Sequence, residues 1–561
     1  IRFMTDPIKS VTIVGGGTAG WMAATYLASK LGRPAGAEAI EVTLIESPGI
    51  GTIGVGEATV PLMRRWLRDM EIDEHEFLWR CNGSFKLGVR FANWNQDENG
   101  RPLAFVHPFH GIEVDIAGYK PAAYFLKYAP ASEAPNCADY LSPTCTLIDH
   151  YRAPRQLEHP DYDKGVRYAY HLDAGLFARF LEEIAVSRGV VHLQDDVVDV
   201  ELGEDGAVAA LHLKEHGRRP VELVVDCTGF RGLIIQKALE EPFESYGRNL
   251  LCDRALAVQH PHPDPERLEP CTRATALGAG WSWRVPLYSR VGTGYVFSSA
   301  FLSDEQATEE FLAHLGPDGA GAEPRVIKMR VGRSRRSWVK NCVAVGLSSG
   351  FIEPLESTAI FIIQNQLRWL VTYFPDRSYS PDLAARYNRV LEQLYLEIRD
   401  FNILHYVTNN REDTEFWHAA RNDLEVPDSL RENLELWRHA LPGEHDFGRE
   451  FLFNHWSYML VLFGKRYFDG LALPTFASLK ETDWRGYAEE MSRTKANLLR
   501  HLPDHHALLS DIRRTVEARQ PALPADLVRA QRARPTVGLP SDGFAPEIHY
   551  ASEPRPPGNL L

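Results

Sequence analysis

A β-branched run, Val11-Thr-Ile-Val14, passes directly into Gly15-Gly-Gly-Thr-Ala-Gly20 and then into an Ala-rich stretch that opens at Trp21. Strand, glycine turn and helix in immediate succession narrow the choice of folds more than any other feature of the chain. Gly15 permits the tight turn, Gly17 lets the backbone approach a pyrophosphate, and Gly20 allows the helix to pack closely on the strand. Thr18 and Ala19 fall at the helix N-terminus, where free N–H groups and the helix dipole favour phosphate charge. A second strand, Glu41-Val-Thr-Leu-Ile-Glu46, ends in an acid placed to accept ribose hydroxyls. These features predict an α/β, Rossmann-like dinucleotide-binding box.

The next segment, Gly49-Ile-Gly-Thr-Ile-Gly-Val-Gly-Glu-Ala58, is glycine-dense yet apolar at Ile50, Ile53 and Val55. That combination fits a loop passing close to a buried flat cofactor better than a solvated linker, and Glu57 and Ala58 lie at its end. Residues 101–165 are rich in Pro, Tyr and His with little periodicity, and are read as an excursion that helps cover a substrate site. Tyr168–Asp173 is predicted as a strand and Ala174–Ser187 as a helix. Strands at Val190–Leu193, from Val197 to Leu202, over Ala207–Leu213 and over Val221–Asp226 form a meander returning to the parallel sheet. Asp226 closes the last of them at a turn where open α/β sheets place ligands.

Gly278-Ala-Gly-Trp-Ser-Trp-Arg-Val-Pro286 is the rarest stretch in the chain. On a strand, Trp281 and Trp283 point to one face and make a wall of two indoles; a plain aromatic core strand is the competing reading. Gly294–Phe301 is read as another strand, and Cys342–Val345 leads through Leu347 into Glu353-Pro-Leu-Glu-Ser-Thr-Ala-Ile360 and a helix. The pattern stays helical to about residue 512, with long amphipathic segments at Gln364–Tyr373, Leu383–Leu404 and Phe451–Leu462. The composition from about Pro521 cannot build its own core, and an extended path along the body or a partner is expected. The divisions are thus 4–100 and 166–360 for the cofactor box, 101–165 for the excursion, 361–520 for a helical substrate-binding region and 521–561 for the tail. Ile1–Phe3, ahead of Met4, are set aside as an expression remnant.

A net charge of −14 with no Lys/Arg cluster argues against nucleic acid as a partner. Seven scattered cysteines without a Cys-X-X-Cys pair read as reduced thiols of a cytoplasmic protein, with no metal site. No apolar run reaches the roughly 18 residues of a membrane span.

Taken together, the chain resembles the flavin-dependent halogenases of the tryptophan halogenase family. The motifs that carry the resemblance are Gly15-X-Gly-X-X-Gly20, Gly51-Thr-Ile-Gly-Val-Gly-Glu-Ala-Thr-Val-Pro61, Ser84-Phe-Lys-Leu-Gly88, Trp281-X-Trp-X-Val-Pro286 and Glu353-Pro-Leu-Glu-Ser-Thr358. Val285 stands where the family usually has Ile. The resemblance implies an FAD-binding box of flavin monooxygenase type and a mostly α-helical pyramid for an aromatic substrate. Reduced FAD, dioxygen and bromide or chloride would generate hypohalous acid, which reaches Lys86 through a tunnel. A separate NAD(P)H-dependent flavin reductase would supply the reduced flavin, and a homodimer is the default assembly.

On this resemblance Lys86 is the catalytic lysine, acting as hydrogen-bond donor or haloamine former, Glu356 the acid beside the substrate, and Ser357 its helper. Thr358 and Ala359 offer backbone amides to the halide. The family usually has Gly where Ala359 stands, so the residue either strains a left-handed turn or narrows the halide site, and bromide is expected to be preferred. His107 and Phe109 match the pair that sandwiches the substrate ring, with Trp456 as a further contact. Val197, Leu347 and Ile360 join the cofactor set. The run of Glu followed four residues later by Phe-Trp, which clamps the amino-acid end of tryptophan, is not found around Trp456; Glu450, Phe453 and Trp456 have the wrong spacing. Indole, an indole-bearing compound or a phenol is therefore expected over free tryptophan. A flavin hydroxylase and a non-catalytic flavin-binding protein are the alternatives.

Overall fold

The computed structural model describes residues 6–32, 39–49, 56–109, 111, 115–162, 165–448 and 450–519. Ile53, Val55 and the tail beyond 519 lie outside them. At the centre is a six-stranded sheet in the order Trp338–Val339, Cys342–Ala344, Leu223–Asp226, Ser10–Val14, Glu41–Glu46, Val191–Gln194. It is parallel apart from the Trp338–Val339 edge. The Ser10–Val14 strand is buried along four of its five residues, as expected of a strand covered on both faces. The helix Thr18–Leu31 returns over the sheet and packs on the helix Ala174–Ser187, and its other neighbour is the helix Ala359–Thr372.

Beside this sheet stands one of seven strands that sequence patterning did not resolve: Arg325–Lys328, Arg254–His260, Val291–Phe297, Gly280–Pro286, Thr272–Leu277, Gly88–Gln96, Pro102–Pro108. Its pairs are antiparallel except for Thr272–Leu277 on Gly88–Gln96. The tryptophan motif is therefore an interior strand, with Trp283 opposite Gly294. A Cβ at Gly294 would lie 2.0 Å from the Trp283 indole, so that glycine makes room for the ring. The excursion at 101–165 begins as an edge strand of this sheet, then forms short helices at Pro121–Tyr128, Cys137–Leu141 and Thr144–Asp149.

A small third sheet, Gly56–Ala58, Ala169–Asp173, Ser84–Lys86, packs beside the tryptophan sheet. Gly56 lies against Val285 and Gly292 of the tryptophan sheet. The predicted helix over Ala174–Ser187 forms with those bounds, capped by Asp173, whose carboxylate accepts the Leu176 N–H. Several boundaries differ from expectation. The strand read over Gly294–Phe301 runs over Val291–Phe297, and the helix read from Leu383 extends over Pro381–Val407. The helix read from Phe451 starts at His455, because the Glu397 carboxylate accepts the N–H groups of Phe451, Leu452 and Phe453 and holds them out of the helix. All seven cysteines are buried and free. Among the described residues no helix is long and apolar enough to cross a membrane.

Candidate active site

The glycine turn has the geometry that its spacing predicts. Gly15 has φ +113°, and a Cβ there would meet the Cys227 carbonyl oxygen at 2.3 Å. A Cβ at Gly20 would lie 1.8 Å from the Gly15 oxygen, whereas one at Gly17 would meet nothing within 4 Å. The open face is thus at the one glycine expected to admit a pyrophosphate, beside the N-terminus of Thr18–Leu31 and the residues Thr18 and Ala19. Glu46 lies against Gly16 and accepts from His192 Nε2 at 3.1 Å. Burial pushes its carboxyl up, and His192 opposes that shift. Gly346 sits close to Ala19, where an added Cβ would approach its methyl to 2.7 Å, so Leu347 adjoins the same helix turn. Ile360 is buried in the first turn of Ala359–Thr372. These groups fit a dinucleotide flavin.

Two residues of the cofactor set are placed differently. The Asp226 carboxylate is taken up by its own chain: it accepts from the Thr228 N–H and hydroxyl at 2.9 and 2.7 Å and from the Ile234 and Ile235 N–H groups at 3.0 and 2.9 Å. It shapes the turn after its strand. Val197 belongs to the separate three-stranded sheet and packs against the apolar cluster that includes Val14 and Ile45. Glu57 and Ala58 lie on the Gly56–Ala58 strand, and burial pushes the Glu57 carboxyl up to about 7.

Lys86 ends the Ser84–Lys86 strand and is wholly buried. Its Nζ donates to the Ser357 hydroxyl at 2.7 Å and to the Thr59 carbonyl at 3.1 Å, and it lies 5.0 Å from the Phe109 ring centroid. Burial pushes its ammonium down to about 7, against the opposing pull of Glu356. Its strand is held on both sides by buried histidines. Ser84 Oγ and His171 Nδ1 lie 3.0 Å apart, and the Phe85 N–H donates to His505 Nε2 at 3.0 Å.

Glu356 is equally buried. His107 Nδ1 reaches its two oxygens at 3.0 and 3.1 Å, and His405 Nε2 reaches Oε1 at 3.1 Å. Burial alone would raise this carboxyl, but the charge and hydrogen bond of His107 and the bond from His405 hold it at about 2. Burial pushes His405 itself down to about 4. Ser357 has φ +63°, a left-handed conformation uncommon for a residue with a side chain. Thr358 follows as the N-cap of a 14-residue helix, with its hydroxyl buried and without a partner among the described residues. Ala359 is the first helical residue and is not left-handed, so its methyl strains no turn there.

His107 lies in the Pro102–Pro108 strand and Phe109 directly follows it. The His107 ring lies near Phe401 and Phe453, at 5.8 and 6.4 Å between centroids, and Gly111 packs directly on the Trp456 indole. The Trp456 Nε1 is buried without a partner among the described residues. Trp281 and Trp283 form the expected pair, 6.4 Å apart at 62°. The Trp281 indole donates to Glu353 at 2.9 Å.

With this geometry in place, comparison with known proteins is decisive. The family model "Tryptophan halogenase" matches residues 10–479. The chain belongs to the tryptophan halogenase family. It is 39% identical over 480 residues to the tryptophan 6-halogenase SttH of Streptomyces toxytricini, covering 81% of this chain and 88% of that one. It is 36% identical over 544 residues to the tryptophan 7-halogenase RebH of Lentzea aerocolonigenes, covering 90% and 99%. The solved structure of Tar14, a tryptophan C-6 flavin-dependent halogenase from taromycin biosynthesis, superposes with a TM-score of 0.83 at 38% identity, covering 90% and 100%. The chain is accordingly an FAD-dependent halogenase, of a class that uses reduced flavin, dioxygen and halide.

Sequence reading missed His405 and Glu353 as parts of this site. The signal was present: Asn402, His405 and Tyr406 are polar residues at i, i+3 and i+4 in an otherwise apolar helix stretch, and all three are buried and aimed at the Glu353–Thr358 loop.

Proposed function

We propose that this chain halogenates an electron-rich aromatic such as indole, an indole-bearing compound or a phenol, with Lys86 as the group that presents hypohalous acid to the ring. The observation that carries this reading is the buried Lys86 amine, fixed by Ser357 and Thr59 beside the Phe109 ring. Gly15, Gly17, Thr18, Ala19, Gly20, Glu46 and Leu347 would hold the flavin. Reduced FAD, when bound, supplies hypohalous acid from dioxygen and halide, and a separate NAD(P)H-dependent reductase delivers the flavin.

As an ammonium, Lys86 has three N–H donors. Ser357 and Thr59 take two, and the third donates to the oxidant and makes its halogen more electrophilic. Glu356, held ionised at about 2, is a weak proton acceptor at neutral pH. Its charge instead favours the ammonium form of Lys86 and fixes the His107 ring for stacking on the substrate. The Trp281 and Trp283 pair keeps the substrate from the flavin, so the ring meets hypohalous acid and is not hydroxylated. Bromide is the expected preference, since the Ala359 methyl would give the halide position an apolar neighbour and bromide costs less to dehydrate than chloride.

Glu450, Phe453 and Trp456 lack the spacing of an amino-acid clamp, and where that spacing occurs, at Glu412, Phe416 and Trp417, both aromatics are buried and the Trp417 indole donates to the Leu277 carbonyl, which favours substrates lacking the amino-acid end. The test is a substrate panel with bromide, FAD and a flavin reductase, read by product mass. The expected product has one hydrogen replaced by bromine, with its isotope doublet; a gain of one oxygen would make the enzyme a hydroxylase, and no product from any electron-rich ring would favour a flavin-binding role without turnover.

A further inference from the structure

Glu353 opens the loop that carries Glu356 and Ser357, yet no step above uses it. It is wholly buried, and its Oε2 accepts both the Trp281 indole N–H at 2.9 Å and the Tyr406 hydroxyl at 2.8 Å. Both partners are neutral, and Oε1 is buried with no partner among the described residues. The Glu353 carbonyl accepts from Asn402 Nδ2 at 2.9 Å and from the Leu355 N–H at 2.9 Å. One face of the Pro381–Val407 helix therefore grips both loop carboxylates, Glu353 through Tyr406 and Glu356 through His405. Of the two carboxylates, Glu353 is the one bonded to the tryptophan pair. A buried carboxyl with only neutral donors is costly, and a well-packed apolar side chain would be stabler at this position.

We propose that Glu353 is a positioning residue that locks the Trp281 indole to the Glu356–Ser357 loop, so that the tryptophan wall and the Lys86 side of the site keep a fixed register and hypohalous acid is passed on rather than lost to solvent. Burial pushes the Glu353 carboxyl up to about 7, so it takes up a proton as pH falls through neutrality, and glutamine mimics the protonated form.

This inference rests on the halogenase reading above, and the experiment separates the two. In 15N-tryptophan-labelled protein the Trp281 indole N–H, assigned by its loss in Trp281→Phe, is expected to exchange slowly and to shift with pH around 7. Glu353→Gln is expected to keep the protection and abolish the pH shift, and Glu353→Leu to exchange about tenfold faster, the worth of one buried hydrogen bond. In the reductase-coupled bromide assay, Glu353→Leu is expected to oxidise flavin at the wild-type rate while the ratio of hypobromous acid trapped in solution to brominated product rises about tenfold. Glu353→Gln is expected to keep the wild-type ratio. Tyr406→Phe, which removes one donor and leaves the indole bond, is expected to shift the ratio by a smaller factor, and it replaces the leucine variant if that fails to fold. Unchanged exchange and an unchanged ratio in Glu353→Leu, or in Tyr406→Phe if it stands in, would overturn the proposal. Absence of brominated product from the wild type would instead overturn the functional reading, while the exchange measurement still decides whether Glu353 holds the indole.

Discussion

Replacing Lys86 by methionine should make the protein more stable at neutral pH while abolishing its chemistry. The wild-type ammonium is pushed from an ordinary 10.5 down to about 7 by burial. The unfolded chain therefore binds more protons than the folded one between pH 7 and 10.5, and wild-type stability rises with pH across that window. Below pH 7 the full penalty applies, about 5 kcal/mol for a shift of this size; it shrinks steadily above 7 and is gone by 10.5. Methionine has nearly the same volume and no charge to bury, but it strands the Thr59 carbonyl and takes a donor from Ser357, costing together about 2–3 kcal/mol. The variant should thus be about 2 kcal/mol more stable at pH 7 and less stable by a similar amount near pH 10.5. Thermal unfolding of both proteins from pH 6.5 to 10 reads the difference, at about 1 °C per kcal/mol for a chain of this length. A variant no more stable than wild type at pH 7, or a difference that does not change sign with pH, would refute the burial argument for Lys86.

Three further outcomes follow from the same geometry. If the ammonium form presents the oxidant, kcat falls as pH rises through about 7, and Glu356→Gln, which removes the charge that supports the ammonium, moves that fall to lower pH; a kcat rising through 7 would favour the neutral amine. Gly17→Ala should leave thermal stability unchanged, since nothing lies within 4 Å of its Cβ, yet raise the Kd for FAD about tenfold or more, whereas Gly20→Ala, 1.8 Å from the Gly15 oxygen, should destabilise by about 3 kcal/mol; equal effects of the two on FAD binding and melting would contradict their assigned roles. Initial rates at matched halide concentration should favour bromide, and Ala359→Gly should narrow the gap; equal wild-type rates with the two halides would dispose of the methyl's role.

What could be read in the sequence divides along a physical line. Gly15, Gly17 and Gly20 were legible because each is demanded by backbone sterics within a few residues, and the Ser10–Val14 strand because burial on both faces leaves a continuous apolar run. The helix Ala174–Ser187 carried both its period and its cap. The seven-stranded sheet did not show itself as a whole, since its local hairpins are assembled by long-range pairings, such as Thr272–Leu277 on Gly88–Gln96 and Arg254–His260 on Arg325–Lys328. The start of the His455–Gly464 helix was hidden for a similar reason: the Glu397 carboxylate that captures three N–H groups is more than fifty residues away. Asp226 shows the opposite case, a residue at a ligand-binding strand end whose oxygens are all engaged by its own turn. In the catalytic site, motif matching reached Lys86 and Glu356 but not what sets their charge. That depends on His107 and His405 converging on Glu356 from the Pro102–Pro108 strand and the Pro381–Val407 helix. The short motifs thus point to the candidate reacting groups, while the protonation states of those groups come from burial and from partners far along the chain, where local sequence carries little signal.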